Sequence, residues 1–125
     1  MMVFTELRQR RPRVKDAEHL AWIRTLPCLV TGRRDGTEAA HIRYSDPRFA
    51  KRQVGVGEKP SDCWTVPLHH EMHRTGPDAQ HSSNERAWWR ARGIDPVAVA
   101  AALYTHSGDD PAASLILQTA RENGA

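Results

Sequence analysis

The chain has only two cysteines, Cys28 and Cys63, among its 125 residues. A small disulfide-stapled domain needs several paired cysteines, so this scarcity excludes that class and favours a reducing compartment. No apolar run approaches the ~20 residues that cross a bilayer. The N-terminal segment turns basic before any long apolar stretch develops, which is the wrong order for a secretory signal. We therefore expect a cytoplasmic protein that makes no use of a membrane.

Positively charged side chains are concentrated in two parts of the chain, although the formal net charge is only +3. Residues 8–15, RQRRPRVK, belong to a basic arm that we expect to be flexible over residues 1–15. A second basic group surrounds the middle of the chain: Arg33, Arg34, Arg43, Arg48, Lys51, Arg52 and Lys59. This distribution favours a polyanionic partner such as nucleic acid, the alternative being a solvated basic surface. The apolar share of 39% is enough for one domain, which we place at residues 16–125.

Histidine is concentrated in one stretch, because five of the seven histidines lie between residues 38 and 81. They are His41, His69, His70, His73 and His81, with Asp62 between the first and the others. Neutral imidazole is a common metal ligand and also takes up a proton near neutral pH. The grouping indicates a metal-dependent hydrolytic centre. The simpler interpretation is a partly buried strand histidine, a histidine–carboxylate hydrogen bond and two residues that begin a helix.

Three short strands are predicted in the first half of the chain. Residues 28–31 and 38–44 are β-prone, and the Asp-Gly pair in residues 32–37 has tight-turn chemistry, so the two segments are predicted to form a hairpin. Residues 63–68 form the third candidate strand. Residues 45–61 contain two glycines and two prolines without sustained periodicity, which predicts a long loop.

Helices are predicted around this strand region. In chain order they run from Asp16 to about Thr25, from His69 to Arg74, from a cap at Ser82 or Ser83 onwards, from Asp95 to about Tyr104, and from Asp110 to about Glu122. The side chains expected in the core are Trp88, Trp89, Leu115, Ile116 and Leu117. The two remaining histidines, His19 and His106, are expected on the surface.

Several motifs of this chain resemble those of the HNH, or ββα-metal, nucleases. The segments are PCLVTG, AAHIR, GEKPSD, VPLHHEMHRTGPDAQH and NERAWW, which together span about residues 27–89. They are most similar to a phage and prophage branch that includes the RecA-dependent nuclease Ref. The resemblance implies an α+β fold with a small ββα-metal (His-Me finger) core over about residues 27–81. Flanking N-terminal and C-terminal helices complete it, the latter within residues 83–122.

The resemblance also implies roles for individual residues. His41, Asp62 and His73 are the expected catalytic residues, with His41 as the general base that activates water. Asp62, His73 and His81 are the expected ligands of one divalent ion, Mg²⁺, Mn²⁺, Ni²⁺ or Zn²⁺. Contacts to nucleic acid are expected from Arg43, Lys51, Arg52 and Lys59. The implied function is a DNA endonuclease or nickase, whose other partner is a recombinase filament or another phage or host protein.

Two positions keep other functions open. Thr31 stands where relatives often carry the second cysteine of a Cys-x-x-Cys pair, and Ala40 stands where they often carry a metal-binding residue. A complete four-ligand zinc knuckle cannot be built without that cysteine. One alternative is a catalytically inactive nucleic-acid-binding ββα protein. The other is a module whose histidines hold a structural zinc ion for partner binding.

Overall fold

The structure, a computed structural model, describes residues 13–54, 58–76, 79–80 and 84–124. It is α+β, as expected. Two antiparallel strands form the sheet, β1 (Thr37–His41) and β2 (Thr65–His69). The α-helices are α1 (Ala17–Arg24), α2 (Glu85–Arg92), α3 (Pro96–Thr105) and α4 (Asp110–Gly124). A 3₁₀ turn at Pro47–Phe49 and a π-helical turn at Glu71–Thr75 complete the regular elements.

The predicted pairing of residues 28–31 with residues 38–44 is wrong. β1 pairs with β2 instead, across the intervening residues 42–64. Residues 28–31 form turns at the other edge of β2, where the N–H of Leu29 donates to the carbonyl of Pro67 at 2.8 Å. Pro67 has no N–H to donate in return, which limits pairing on that edge. The sheet therefore has two strands and not three.

The small sheet is stabilised by the helices around it. A two-stranded ribbon is marginally stable by itself in water. Here β2 is buried along its whole length and contacts both α1 and α3. The largest apolar side chains that are fully buried in the core are Trp89, Ile23, Leu29, Ile42, Leu68, Leu103 and Leu117. Each such burial stabilises the fold by about 1.5–3 kcal/mol, so the packing fixes where the strand ends lie.

Side-chain caps fix where the helices begin. Asp16 and Asp95 cap α1 and α3, as predicted. α2 begins after Asn84, whose side-chain oxygen accepts a backbone N–H of the first turn at 3.0 Å. The predicted caps Ser82 and Ser83 lie outside the described residues. Asparagine ranks with serine as a helix cap, so the sequence pattern placed this start one or two residues too early.

The segment that begins at His69 also differs from its prediction as a helix. His69 is the last residue of β2, and the segment after it makes a single π-helical turn. The N–H of Gly76 closes that turn by donating to the carbonyl of Glu71 at 2.9 Å. A Cβ at position 76 would lie 2.5 Å from the same carbonyl oxygen, so only glycine permits this closure. Residues 77–78 and 81–83 lie outside the described part of the chain.

Two burial predictions fail. His19, expected on the surface, is 1% exposed, and its ring packs edge-on against Tyr104 at 4.9 Å. Leu115, expected in the core, is 69% exposed, whereas Ile116 is partly buried and Leu117 is fully buried. Consecutive residues of a helix point in different directions, so an apolar triplet cannot be wholly buried against one neighbour. The predictions for Trp88, Trp89 and His106 are confirmed.

None of the helices in the described ranges is both long enough and apolar enough to span a membrane.

Candidate functional site

Polar side chains form two separate clusters at opposite ends of the two-stranded sheet. The register places His41 opposite Thr65 and His69 opposite Thr37. Thr37 and His41 are four residues apart on β1, which corresponds to about 13 Å in a strand. The residues predicted to form one site are therefore distributed between two places.

The first cluster is built on His41 and Asp62. The Nε2 of His41 lies 2.9 Å from Oδ1 of Asp62. The two residues meet because His41 ends β1, whereas Asp62 lies in the turn that leads into β2. A carboxylate only accepts hydrogen bonds, so Nε2 carries the proton and Nδ1 has the free lone pair. Within the described ranges no group hydrogen-bonds Nδ1, and the imidazole is 23% exposed, so this nitrogen is placed to accept a proton.

Asp62 is held by three partners. Arg13 Nη2 donates to Oδ1 at 2.8 Å, and the backbone N–H of Asp16 donates to Oδ2 at 2.8 Å. Burial opposes ionisation of this carboxyl group, which is 3% exposed. The hydrogen bonds from His41 and Asp16 and the charge of Arg13 outweigh burial and hold the pKa of Asp62 below its ordinary value. Both carboxylate oxygens are thus engaged with the protein, and the predicted role of Asp62 as a metal ligand stays a prediction.

A basic pocket adjoins this pair. Arg13, which bonds Asp62, also lines a small depression together with Ser61 and Trp64. Three of the predicted nucleic-acid contacts line the same depression: Lys51, Arg52 and Lys59. We call these six residues the basic pocket. The structure thus brings most of the predicted contact residues together beside His41.

Lys51 differs from the other cations of the basic pocket. It is 3% exposed, and its Nζ donates to the carbonyl of Tyr44 at 2.6 Å. The ammonium group also lies 5.9 Å from the ring centre of Trp64. Burial lowers the pKa of Lys51 to about 8, although Glu85 opposes this. Arg52 and Lys59 are exposed at the surface of the pocket, where Arg52 also pairs with Glu58 at 3.5 Å.

His73, a predicted metal ligand, contacts Glu38 rather than Asp62. Its Nδ1 lies 2.8 Å from Oε1 of Glu38, and Arg74 Nη2 donates to Oε2 at 2.7 Å. The hydrogen bonds from Arg74 are the main reason that the pKa of Glu38 is lowered to about 2, with burial opposing and His73 adding to the shift. Imidazole and carboxylate are both metal-ligand types. Glu38 was not predicted as a site residue, and its only signal was its place three residues before His41.

The second cluster consists of His69, His70 and Glu71, and we call it the histidine cluster. Each residue offers one ligand atom, and these atoms lie within 4.8 Å of one another. Two imidazoles and a carboxylate form a donor set suited to Zn²⁺ and similar ions, so the cluster could hold a metal ion. A Cβ at Gly36 would lie 3.0 Å from His69 Nε2, so glycine leaves room for the rings.

The hydrogen bonds of His69 restrict how it can bind an ion. Its Nδ1 accepts the backbone N–H of Glu71 at 3.1 Å, and its Nε2 lies 3.8 Å from Asp35 Oδ2. A neutral imidazole with an accepting Nδ1 carries its proton on Nε2. An ion bound at Nδ1 would displace the N–H of Glu71. An ion bound at Nε2 would move the ring proton to Nδ1, which could then no longer accept that N–H. His81, the remaining predicted ligand, lies outside the described residues.

Comparisons with protein-family models, with curated proteins and with solved structures found no match to this chain. The functional argument therefore depends on the geometry of the two clusters.

Proposed function

We propose that the protein is a metal-dependent HNH endonuclease or nickase that hydrolyses DNA phosphodiester bonds. The observation that carries this proposal is the contact between His41 and Asp62 beside the basic pocket. It joins a proton acceptor to a surface that attracts phosphate. The sequence motifs that resemble the ββα-metal core support the same function.

His41 acts as the general base of this reaction. Its Nδ1 takes a proton from the attacking water, which gives an imidazolium ion. The ionised Asp62, 2.9 Å from Nε2, stabilises that positive charge and fixes the orientation of the ring. Arg13 and the N–H of Asp16 hold Asp62 in turn. General-base catalysis contributes typically ~10²–10⁴-fold to a rate.

The basic pocket accounts for the affinity for the polyanion. Arg52 and Lys59 are exposed beside the catalytic pair and meet phosphate oxygens. Lys51, buried beneath them, holds the loop through the carbonyl of Tyr44. Its positive charge raises the local potential without direct contact.

A divalent ion completes the proposed activity. When bound, the ion would neutralise the negative charge that develops on the phosphate and on the leaving oxygen. The resemblance assigns this ion to Asp62, His73 and His81. Because His73 contacts Glu38 and not Asp62, Glu38 and His73 are the described residues that would hold the ion, and Asp62 would orient His41. Mg²⁺ or Mn²⁺ suits the carboxylates, whereas Ni²⁺ or Zn²⁺ suits the imidazole.

A second function is favoured by the histidine cluster. Its three donors could hold Zn²⁺ at the end of the sheet far from His41, where the ion would stabilise the fold and a partner surface. In that case the protein binds metal and does not cleave DNA.

Incubation of the purified protein with supercoiled plasmid tests the proposal. Mg²⁺, Mn²⁺, Ni²⁺, Co²⁺ and Zn²⁺ are added separately, with EDTA as the control, and gels follow conversion to open-circular and linear DNA. We expect cleavage with at least one ion and none with EDTA. Tightly bound metal without cleavage under any ion would favour the structural-zinc function instead.

A further inference from the structure

A groove separate from both clusters lies between the segment after β1 and helix α2. It encloses about 570 Å³, and Tyr44, Arg86 and Arg90 are among its lining residues. A neighbouring depression shares Tyr44 and Arg86 with it and extends to Arg43 and Gln53. We call the two together the arginine groove. It is larger than the basic pocket and is not needed for the chemistry proposed above.

The carboxylates along the arginine groove are already engaged. Asp46 and Asp95 both bind the guanidinium of Arg48, at 2.6 Å and 2.8 Å. Glu85, in the neighbouring depression, accepts the backbone N–H of Arg43 at 3.2 Å and the side-chain amide of Gln80 at 3.0 Å. Arg48 offsets the charge of one of the two aspartates, and Glu85 is held by neutral donors, so the three carboxylates bind protein groups and keep part of their negative charge.

Three arginines keep their charge available. Arg43, Arg86 and Arg90 are exposed, and none of them forms an ion pair with a residue that the structure describes. Arg86 and Arg90 are four residues apart on α2 and so lie on the same side of the helix. The lining holds four arginines and three carboxylates, and the three arginines outside ion pairs favour a ligand with repeated negative charges.

The groove also offers stacking surfaces. The guanidinium of Arg86 lies over the ring of Tyr44, 4.7 Å from its centre. A planar guanidinium packed on an aromatic ring presents its other face to a further flat group. Pro47, Ile94 and Pro96 add apolar surface to the lining. Flat, apolar faces joined by phosphates are the chemistry of nucleobases in a single strand, whereas a duplex presents mainly phosphates at its outer surface.

We propose that the arginine groove binds a single-stranded segment of nucleic acid that continues from the strand at His41. Arg43 and Tyr44 follow His41 in sequence by two and three residues, about 7–10 Å of extended chain. The span corresponds to one or two nucleotides of an extended strand. This inference rests on the proposed function and extends it, since it assigns the unpaired flank of the substrate to α2.

Fluorescence anisotropy tests the groove without cleavage. The probes are a labelled oligothymidine and a hairpin duplex of equal length, measured in EDTA over a series of salt concentrations. The test variant is R86A/R90A. The control is R24A/R34A, which removes the same charge from two exposed arginines outside the groove.

The groove variant should bind oligothymidine at least about fivefold more weakly, because stacking and two phosphate contacts are lost. Its slope of log affinity against log salt should flatten by about 1.4, at about 0.7 for each single-strand contact. The control and the hairpin duplex should show much smaller changes. Equal losses for R86A/R90A and R24A/R34A, or a larger loss with the duplex, would overturn the proposal.

Arg86→Lys separates stacking from charge. It should keep the salt slope of the wild type and still lose oligothymidine affinity, because an ammonium group cannot stack as a guanidinium does. Wild-type affinity in this variant would contradict the stacking contact. These outcomes are independent of cleavage. If the protein cleaves DNA but the groove variants bind oligothymidine normally, only the groove proposal is refuted. If the groove variants lose binding but the wild type does not cleave, only the nuclease proposal is refuted.

Discussion

Asp62 controls how His41 is oriented. Its Oδ1 lies 2.9 Å from His41 Nε2 and also accepts from Arg13, whereas its Oδ2 accepts the N–H of Asp16. Asp62→Asn keeps the size of the side chain but removes the charge that stabilises the imidazolium ion. We expect the cleavage rate to fall on the order of 10²-fold. The measurement is single-turnover cleavage of plasmid, with Asp35→Asn, an exposed aspartate, as the control. A rate within a factor of about two of wild type would remove Asp62 from the site.

The lowered pKa of Glu38 predicts how the free energy of unfolding changes at acidic pH. Its pKa is lowered from 4.5 to about 2 in the folded protein, mainly by Arg74. Between these values the unfolded chain binds more protons, so this stabilisation is complete above about pH 4.5 and is lost as the pH falls towards 2. Glu38→Gln should flatten the decline in free energy of unfolding over that window, by on the order of 1 kcal/mol. Urea denaturation at several pH values, with Glu18→Gln as the control, checks this. An unchanged decline would contradict the ion pair.

Lys51 gives a pH dependence of the same sign in the alkaline range. Burial lowers its pKa from 10.5 to about 8, so the unfolded chain holds more protons between these values. Stability should therefore rise as the pH increases from about 8 to about 10.5. Lys51→Met should remove that rise, and Lys59→Met, at an exposed position in the same pocket, should keep it. Thermal denaturation across the window is the measurement. A rise that persists in Lys51→Met would place the titrating group elsewhere.

At the scale of elements, the π-helical turn depends on Gly76. A Cβ there would lie 2.5 Å from the carbonyl oxygen of Glu71, so Gly76→Ala must shift the backbone. Overpacking of this kind costs typically about 1–3 kcal/mol. The shift would also displace His73 from Glu38, 2.8 Å apart at present. Urea denaturation measures the loss of stability. A change below about 0.5 kcal/mol would show that the turn adapts at little cost.

Local signals were enough to predict several elements but not their pairing. Asp16 and Asp95 cap their helices through bonds within the first turn, so the sequence alone reveals them. Both strands of the sheet also overlap predicted strands, although β1 begins one residue before residues 38–44 and β2 ends one residue after residues 63–68. The partner of β1 was wrong because the tight-turn residues 32–37 favour a local hairpin, whereas the real pairing spans residues 42–64. Packing of β2 between α1 and α3 decides this, and no local pattern encodes it.

The candidate site was predictable to a similar degree. His41 and Asp62 were singled out together and lie in contact. The contacts of Arg13 with Asp62 and of Glu38 with His73 were not foreseen. Each joins residues far apart in sequence through the tertiary fold. Residue types with several ordinary uses, such as glutamate on a strand or arginine in a basic arm, give no signal of such contacts.

At the scale of the whole molecule, the separation of the two clusters predicts which of them binds a zinc ion. The histidine cluster could hold Zn²⁺ at the end of the sheet away from His41. An ion that binds only the folded state raises the melting temperature. We expect Zn²⁺ to raise the melting temperature of the wild type and of His106→Ala, and to leave that of His70→Ala nearly unchanged. Equal shifts in all three proteins would place the ion outside the cluster.

The central claim is that His41 is the base of a nuclease, and His41→Ala tests it most directly. Plasmid cleavage is measured at saturating ion for the wild type, for His41→Ala and for His106→Ala, whose histidine is exposed and outside both clusters. Calorimetry with Mn²⁺ follows ion binding in the same proteins. The account predicts a rate that is ~10²–10⁴-fold lower for His41→Ala, unchanged ion binding, and wild-type behaviour for His106→Ala. A His41→Ala protein that keeps more than about a tenth of the wild-type rate would contradict it.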